Sequence, residues 1–161
     1  MSETSEMSRG LVRPRGKRDY QRMLDAIPYT AHLGITAEPA DDGPVYTLPP
    51  RAKHIGNRRL PAIHGGVVAA LMEAAALVTV LVDEDQDRFP KPIDFSLDYL
   101  RSAHGGEPLH AACQILRQGR RIAAVRVDCW QGDDRNKLTA TGRVHLLLSV
   151  TEALDRSVAH R

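Results

Sequence analysis

The chain is short of most residues and motifs that announce a specialised class of protein. Its two cysteines, Cys113 and Cys129, form no CxxC pair. They read as free, buried thiols of a reducing cytosol, with a cross-strand disulfide as the alternative. Charge of one sign is not in excess: a formal net charge of +2 gives no footprint for nucleic acid. The first residues do not read as a signal peptide, because acids and serines precede a very short apolar run. The one long apolar run, Val67 to Val82, has sixteen residues and contains an acid, whereas a membrane helix needs about 20 apolar residues. It therefore reads as a core helix. No GxSxG elbow supports an α/β-hydrolase, no HExxH marks a zinc hydrolase, and no GxxxxGK[ST] loop cradles a phosphate. His104, His110 and Cys113 could meet near one hairpin, but their spacing is not that of a zinc site. No internal repeat is present.

What remains suits one globular domain. With 42% hydrophobic and 26% charged residues over 161 positions, the chain can bury a sizeable core. Residues 1–17, basic through Arg9, Arg13, Arg15 and Lys17, read as a disordered tail, residues 18–150 as the domain, and 151–161 as a C-terminal tail. Residues 19–28 predict a short amphipathic helix that stops before Pro28. Gly34 to Pro49 predicts two short strands turning at Asp41-Asp42-Gly43-Pro44, and residues 50–63 a loop. The apolar helix begins at His64-Gly65-Gly66 and ends in the acidic cluster Asp83–Asp87, expected to be solvated.

The rest alternates with period two. Inward sets are Ile93, Phe95, Leu97 and Tyr99; Leu109, Ala111, Cys113 and Ile115; Ala123, Val125, Val127 and Cys129; and Leu138, Ala140, Gly142, Val144, Leu146 and Leu148, with Thr139, Thr141, Arg143 and His145 outside. Such alternation means one buried face. A meander with one apolar face needs a cover, and the helix is the one available. The expected fold class is α+β, a curved antiparallel sheet wrapped around one long central helix. Glu73 is the only ionisable residue of the apolar run. A helix apolar on every side is normally buried, and a carboxylate buried there must be paired or used.

The segments IHGGVVAALMEAAALV, PIDFSLDYLRSA, RQGRR and KLTATGRVHLLL resemble the hotdog-fold acyl-CoA thioesterases, in particular the PaaI-like branch, across residues 50–148. The resemblance implies a dimer formed by joining two sheets, sites at the subunit interface, and thioesters of coenzyme A or acyl carrier protein as substrates. It implies no metal or redox cofactor. The partners expected are therefore an acyl-CoA and further copies of the chain (a dimer or dimer of dimers), with neither nucleic acid nor membrane.

The residues fit that chemistry. Thioester hydrolysis passes through an oxyanion that needs hydrogen-bond donors. The first amides of a helix lack intrahelical partners and sit at its positive end, and glycine allows close approach. By resemblance, Gly65 polarises the carbonyl, His64 orients the turn or touches substrate, Gly66 lies beside it, and Asn57 assists; the alternative for Asn57 is a turn former. Glu73 is eight residues beyond Gly65, about 12 Å along the helix and 80° around it. It therefore serves as base or nucleophile for a carbonyl held by another subunit, unless it pairs with Arg58, Arg59 or Arg101. Tyr99 and Phe95 wall the acyl pocket. Arg101, Arg120 and Arg121 are candidates for the nucleotide phosphates. Many relatives carry a water-holding Ser or Thr where this chain has Pro92, so Thr79 or Ser96 would substitute. Three rivals remain: a non-catalytic acyl-CoA-binding hotdog protein, a hotdog hydratase or dehydratase, and an interaction module resting on the basic residues 9–18 alone.

Overall fold

A computed structural model describes residues 19–83 and 89–148. The tails expected over 1–17 and 151–161, and the acids at 84, 85 and 87, lie outside those residues. Helix α1 spans Tyr20–Ala26, its first turn capped by Asp19, whose carboxylate accepts the Arg22 N–H at 3.0 Å. It stops before Pro28, as predicted. A second helix, α2 (Pro28–Leu33), follows with that proline in its first turn, where a missing N–H costs nothing. It ends at Gly34, whose φ of 75° is the left-handed conformation glycine tolerates.

Strands β1 (Thr36–Glu38) and β2 (Val45–Leu48) form the expected hairpin. The segment expected as a loop is more ordered. A 3-10 turn at Ala52–His54 leads into a small hairpin of β3 (Ile55–Asn57) and β4 (Ala62–Ile63). Helix α3 runs Gly65–Asp83. Four long strands follow: β5 (Lys91–Tyr99), β6 (Leu109–Gln118), β7 (Ile122–Trp130) and β8 (Leu138–Leu147). They complete a six-stranded antiparallel sheet in the order β1-β2-β6-β7-β8-β5. The sheet curves around α3, the α+β architecture read from the alternation.

The helix packs through Val68, Leu71, Met72, Ala75, Val78 and Val80 onto the predicted inward residues Leu109, Ala111, Ala123, Val125, Val127, Val144 and Leu146, all buried. Each such Val, Leu or Met side chain contributes about 1.5–3 kcal/mol of burial free energy, and each alanine methyl about 0.8 kcal/mol. Gly142 leaves no room for a side chain: a Cβ there would lie 2.7 Å from the Ser96 carbonyl oxygen and 2.9 Å from the Met72 methyl.

Several side chains depart from expectation. Ile93 and Tyr99, expected inward, are 52% and 57% exposed: Ile93 is the extra residue where β5 shifts register against β8, and Tyr99 turns from the strand end to the Gly65 carbonyl. Glu73 is exposed, not buried. The sheet and the short helices cover α3 on most sides but leave a stripe on which Gly66 and Glu73 are exposed and Ala69, Ala70, Leu77 and Leu81 half-buried. Thr139, expected outside with Thr141, Arg143 and His145, is only 5% exposed. It sits at a bulge: Cys129 pairs with Ala140 and Trp130 with Leu138, leaving Thr139 as the extra residue of β8.

Candidate active site

The start of α3 is held by His64 and the hairpin before it. The His64 N–H donates to the His54 carbonyl at 2.8 Å, and the His64 carbonyl accepts from Val67 and Val68 at 2.8 and 3.1 Å. Its Nδ1 accepts the Gly66 N–H at 2.9 Å, so in the neutral ring the proton is on Nε2. His64 thereby caps its own helix and holds the glycine turn. Three of the first four helical amides are thus satisfied. The Gly65 N–H alone has no acceptor among the described residues.

Gly65 lines a cleft of about 450 Å³, together with Ala62, Ile63, Val68, Tyr99, Arg101, Ser102 and Thr139, among others. Tyr99 projects from the end of β5 and donates its hydroxyl proton to the Gly65 carbonyl at 2.8 Å. A Cβ at Gly65 would come within 2.9 Å of that hydroxyl oxygen, so the glycine is what lets the tyrosine sit there. Arg101 lines the same cleft and donates from Nη1 to the Leu138 carbonyl at 2.5 Å.

Other expected residues lie elsewhere. Asn57 is a turn former: its Oδ1 accepts the N–H groups of Arg59 and Leu60 at 2.9 and 3.3 Å. Glu73 has no hydrogen-bond or ion-pair partner among the described residues, which removes the pairing with Arg58, Arg59 or Arg101. Arg120 and Arg121 occupy the exposed β6–β7 turn. That turn adjoins Ile122, which pairs with Leu147, whereas Tyr99 pairs with Ala140. From Ala140 to Leu147 the strand advances about 23 Å at roughly 3.3 Å per residue, so one chain does not bring these arginines to its own Gly65. Neither substitute hydroxyl reaches the cleft. Thr79 is buried against the Tyr46 hydroxyl at 2.8 Å, and Ser96 is exposed opposite Arg143. His110 and Cys113 fall on opposite faces of β6, and no group of three or more metal-binding side chains forms among the described residues.

Sequence reasoning missed His54. Its ring is buried, Nδ1 donates to the Pro49 carbonyl at 3.0 Å, and Nε2 has no partner. Burial, aided by the charges of Lys53 and Arg51, lowers its pKa from the usual histidine value against the pull of the Pro49 bond. Only its backbone contact with His64 links it to the site, and no periodicity signals that.

Residues 57–145 match the family model of the acyl-CoA thioesterase N-terminal domain. The medium/long-chain acyl-CoA thioesterase YigI of Salmonella typhimurium is 32% identical over 100 residues, covering 54% of this chain and 64% of that protein. Its Escherichia coli counterpart is 34% identical over 87 residues, covering 46% and 56%. The chain thus spans about three-fifths of the length of these relatives. Among solved structures, a Chromobacterium violaceum protein is similar with a TM-score of 0.66 and 33% identity, over 94% of this chain and all of that one. A point mutant of the phenylacetic acid degradation protein PaaI of Thermus thermophilus shares the fold with a TM-score of 0.64 and 22% identity, over 76% and 100%.

Proposed function

The chain belongs to the acyl-CoA thioesterase family of hotdog proteins, and from that premise we propose that it hydrolyses an acyl-coenzyme A thioester to a free acid and a thiol. The observation that carries this reading is the pairing of an unclaimed Gly65 amide on a cleft with an unpartnered, exposed Glu73 on the same helix. The first is a donor for an oxyanion. The second is a carboxylate free to take a proton from water. The YigI relatives are named for medium- and long-chain acyl-CoAs, and we assign the same substrate class here. Residues 18–150 form the catalytic domain, acting in the cytoplasm.

The two groups sit about 12 Å apart along one helix, so the working site takes Gly65 from one subunit and Glu73 from another. The β5 edge supports such a dimer. Among the described residues this nine-residue strand pairs only with β8, and it and the segment after it expose Ile93, Tyr99 and Leu100. A long open edge is a template for a further strand. Antiparallel pairing of two copies of β5 sets the Lys91 end of one beside the Tyr99 end of the other. It thereby carries the partner's Arg120 and Arg121 toward the cleft, where guanidinium groups suit the phosphates of coenzyme A.

In the reaction, the thioester carbonyl accepts the Gly65 N–H. Water attacks the carbonyl carbon as Glu73 of the partner subunit takes its proton. The tetrahedral oxyanion collapses, the C–S bond breaks, and the thiolate recovers the proton from Glu73. Direct attack by Glu73, giving an anhydride that water then opens, uses the same geometry. A binding protein without hydrolysis is the second reading. It is favoured by Pro92 and by the positions of Thr79 and Ser96, neither of which offers a hydroxyl to the cleft.

Release of free thiol from a panel of medium-chain, long-chain and aryl acyl-CoAs tests the proposal. Glu73→Gln is expected to fold normally and to lower kcat by about 10²-fold or more, the usual effect of losing a general base. Unchanged turnover in that variant removes Glu73 from the reaction. Tight coenzyme A binding without thiol release establishes the second reading.

A further inference from the structure

We infer that Thr139 is a further substrate-contacting residue, its hydroxyl hydrogen-bonding a polar atom of the acyl thioester in the cleft. The inference rests on the proposed thioester site and adds a group to it. Three threonines are buried among the described residues. Thr30 donates its hydroxyl to the Leu24 and Ile27 carbonyls, and Thr79 shares a hydrogen bond with Tyr46. The Thr139 hydroxyl has no partner among the described residues, yet the residue is 5% exposed and lines the cleft with Gly65, Tyr99 and Arg101. The hydroxyl is not sealed from water, since His54 Nε2 is the one fully buried side-chain polar atom without a partner among the described residues; on a residue otherwise buried it is open to a ligand that enters the cleft.

The backbone explains why Thr139 can occupy this place. As the extra residue of the β8 bulge it leaves the register with β7, and bulges recur beside active sites, where they re-aim side chains. Its carbonyl accepts the N–H groups of both Leu100 and Arg101, at 2.9 and 3.0 Å, which fixes it against the segment that forms the cleft wall. The other hydroxyls there are less suited. Tyr99 has already committed its proton to Gly65, and Ser102 is exposed to water. Thr139 keeps both its donor and its acceptor capacity.

The test compares Thr139→Val, which keeps the branched shape and removes the hydroxyl, with Thr139→Ser, which keeps the hydroxyl. Both are made in the full chain and assayed with decanoyl-CoA and its non-hydrolysable thioether analogue. For the valine variant the KM and the thioether Kd are expected to rise about tenfold, as for one lost ligand hydrogen bond. The serine variant should stay within about threefold of the parent, both with unchanged melting temperature and elution volume. A valine variant within about twofold of the parent overturns the inference and leaves the hydrolase reading standing. So does a loss shared by both variants with a lowered melting temperature, which marks a purely structural threonine. If the valine variant does not fold, Thr139→Ala against Thr139→Ser decides by the same criteria. A parent protein that neither cleaves decanoyl-CoA nor binds the thioether overturns the hydrolase reading and this inference with it.

Discussion

The two ends of α3 are built to opposite purposes. Toward the carboxyl end the polar side chains are paired within the chain: Thr79 bonds the Tyr46 hydroxyl, and the Asp83 carboxylate accepts from Tyr20 at 2.5 Å. Val78, Thr79 and Val80 are buried there. At the amino end His64 caps Gly66 and the Gly65 amide is left over beside a cleft. One helix thus ties the core together at one end and leaves an unsatisfied donor at the other. A polar group left unpaired where a paired one was available points to use by a ligand, whereas a fully matched set points to stability.

This contrast can be broken at either end. The largest effect is expected at the open end. Gly65→Ala puts a methyl 2.9 Å from the Tyr99 hydroxyl oxygen, displaces it, and narrows the approach to the amide. Loss of oxyanion-hole geometry lowers kcat by on the order of 10–10²-fold, with the melting temperature little changed; steady-state kinetics and a thermal melt check both. At the closed end the prediction inverts. Tyr46→Phe removes one of two partners of the buried Thr79 hydroxyl, which keeps its bond with the Cys113 thiol, and costs about 0.5–1.5 kcal/mol of stability, visible as a lower denaturant midpoint, while kcat stays at the parent value.

The smallest effect concerns acid. His54 and His110 both have pKa values lowered mainly by burial. The unfolded chain then binds protons at these sites more readily than the folded one. Their contribution is absent above the unfolded histidine pKa of about 6.5, and stability declines as pH falls below it. His54→Phe should flatten part of that decline in denaturant titrations at pH 7 and pH 5.5. An equal slope in both proteins would exclude His54 as its source.

The sheet was legible because period-two alternation is a local signal. Ala123, Val125, Val127 and Cys129 face inward as their spacing predicts. The start of α3 was legible for a similar reason, since a His-Gly-Gly turn before an apolar run carries its own stereochemistry. What failed needed information that spacing lacks. Pro28 ends one helix but also begins another, because the same missing N–H is tolerated in a first turn. Glu73 was expected buried because hydropathy registers that a stretch is apolar, not which of its faces the rest of the chain leaves uncovered; Ala70, Leu77 and Leu81 share its uncovered stripe. Asn57 carries a side chain equally apt for a substrate or for its own turn, and only the bonds to Arg59 and Leu60 decide. Thr139 was set outside by counting in twos, and a bulge is the event that breaks such counting.

The two cysteines have a practical consequence. Burial pushes the Cys113 thiol up to about 12 and the Cys129 thiol higher still, so at neutral pH neither supplies the thiolate that disulfide reagents attack. A chromogenic disulfide added to the native protein will colour only with coenzyme A set free by turnover. Colour developing without substrate will instead time the opening of the core, making the same reagent a clock for unfolding.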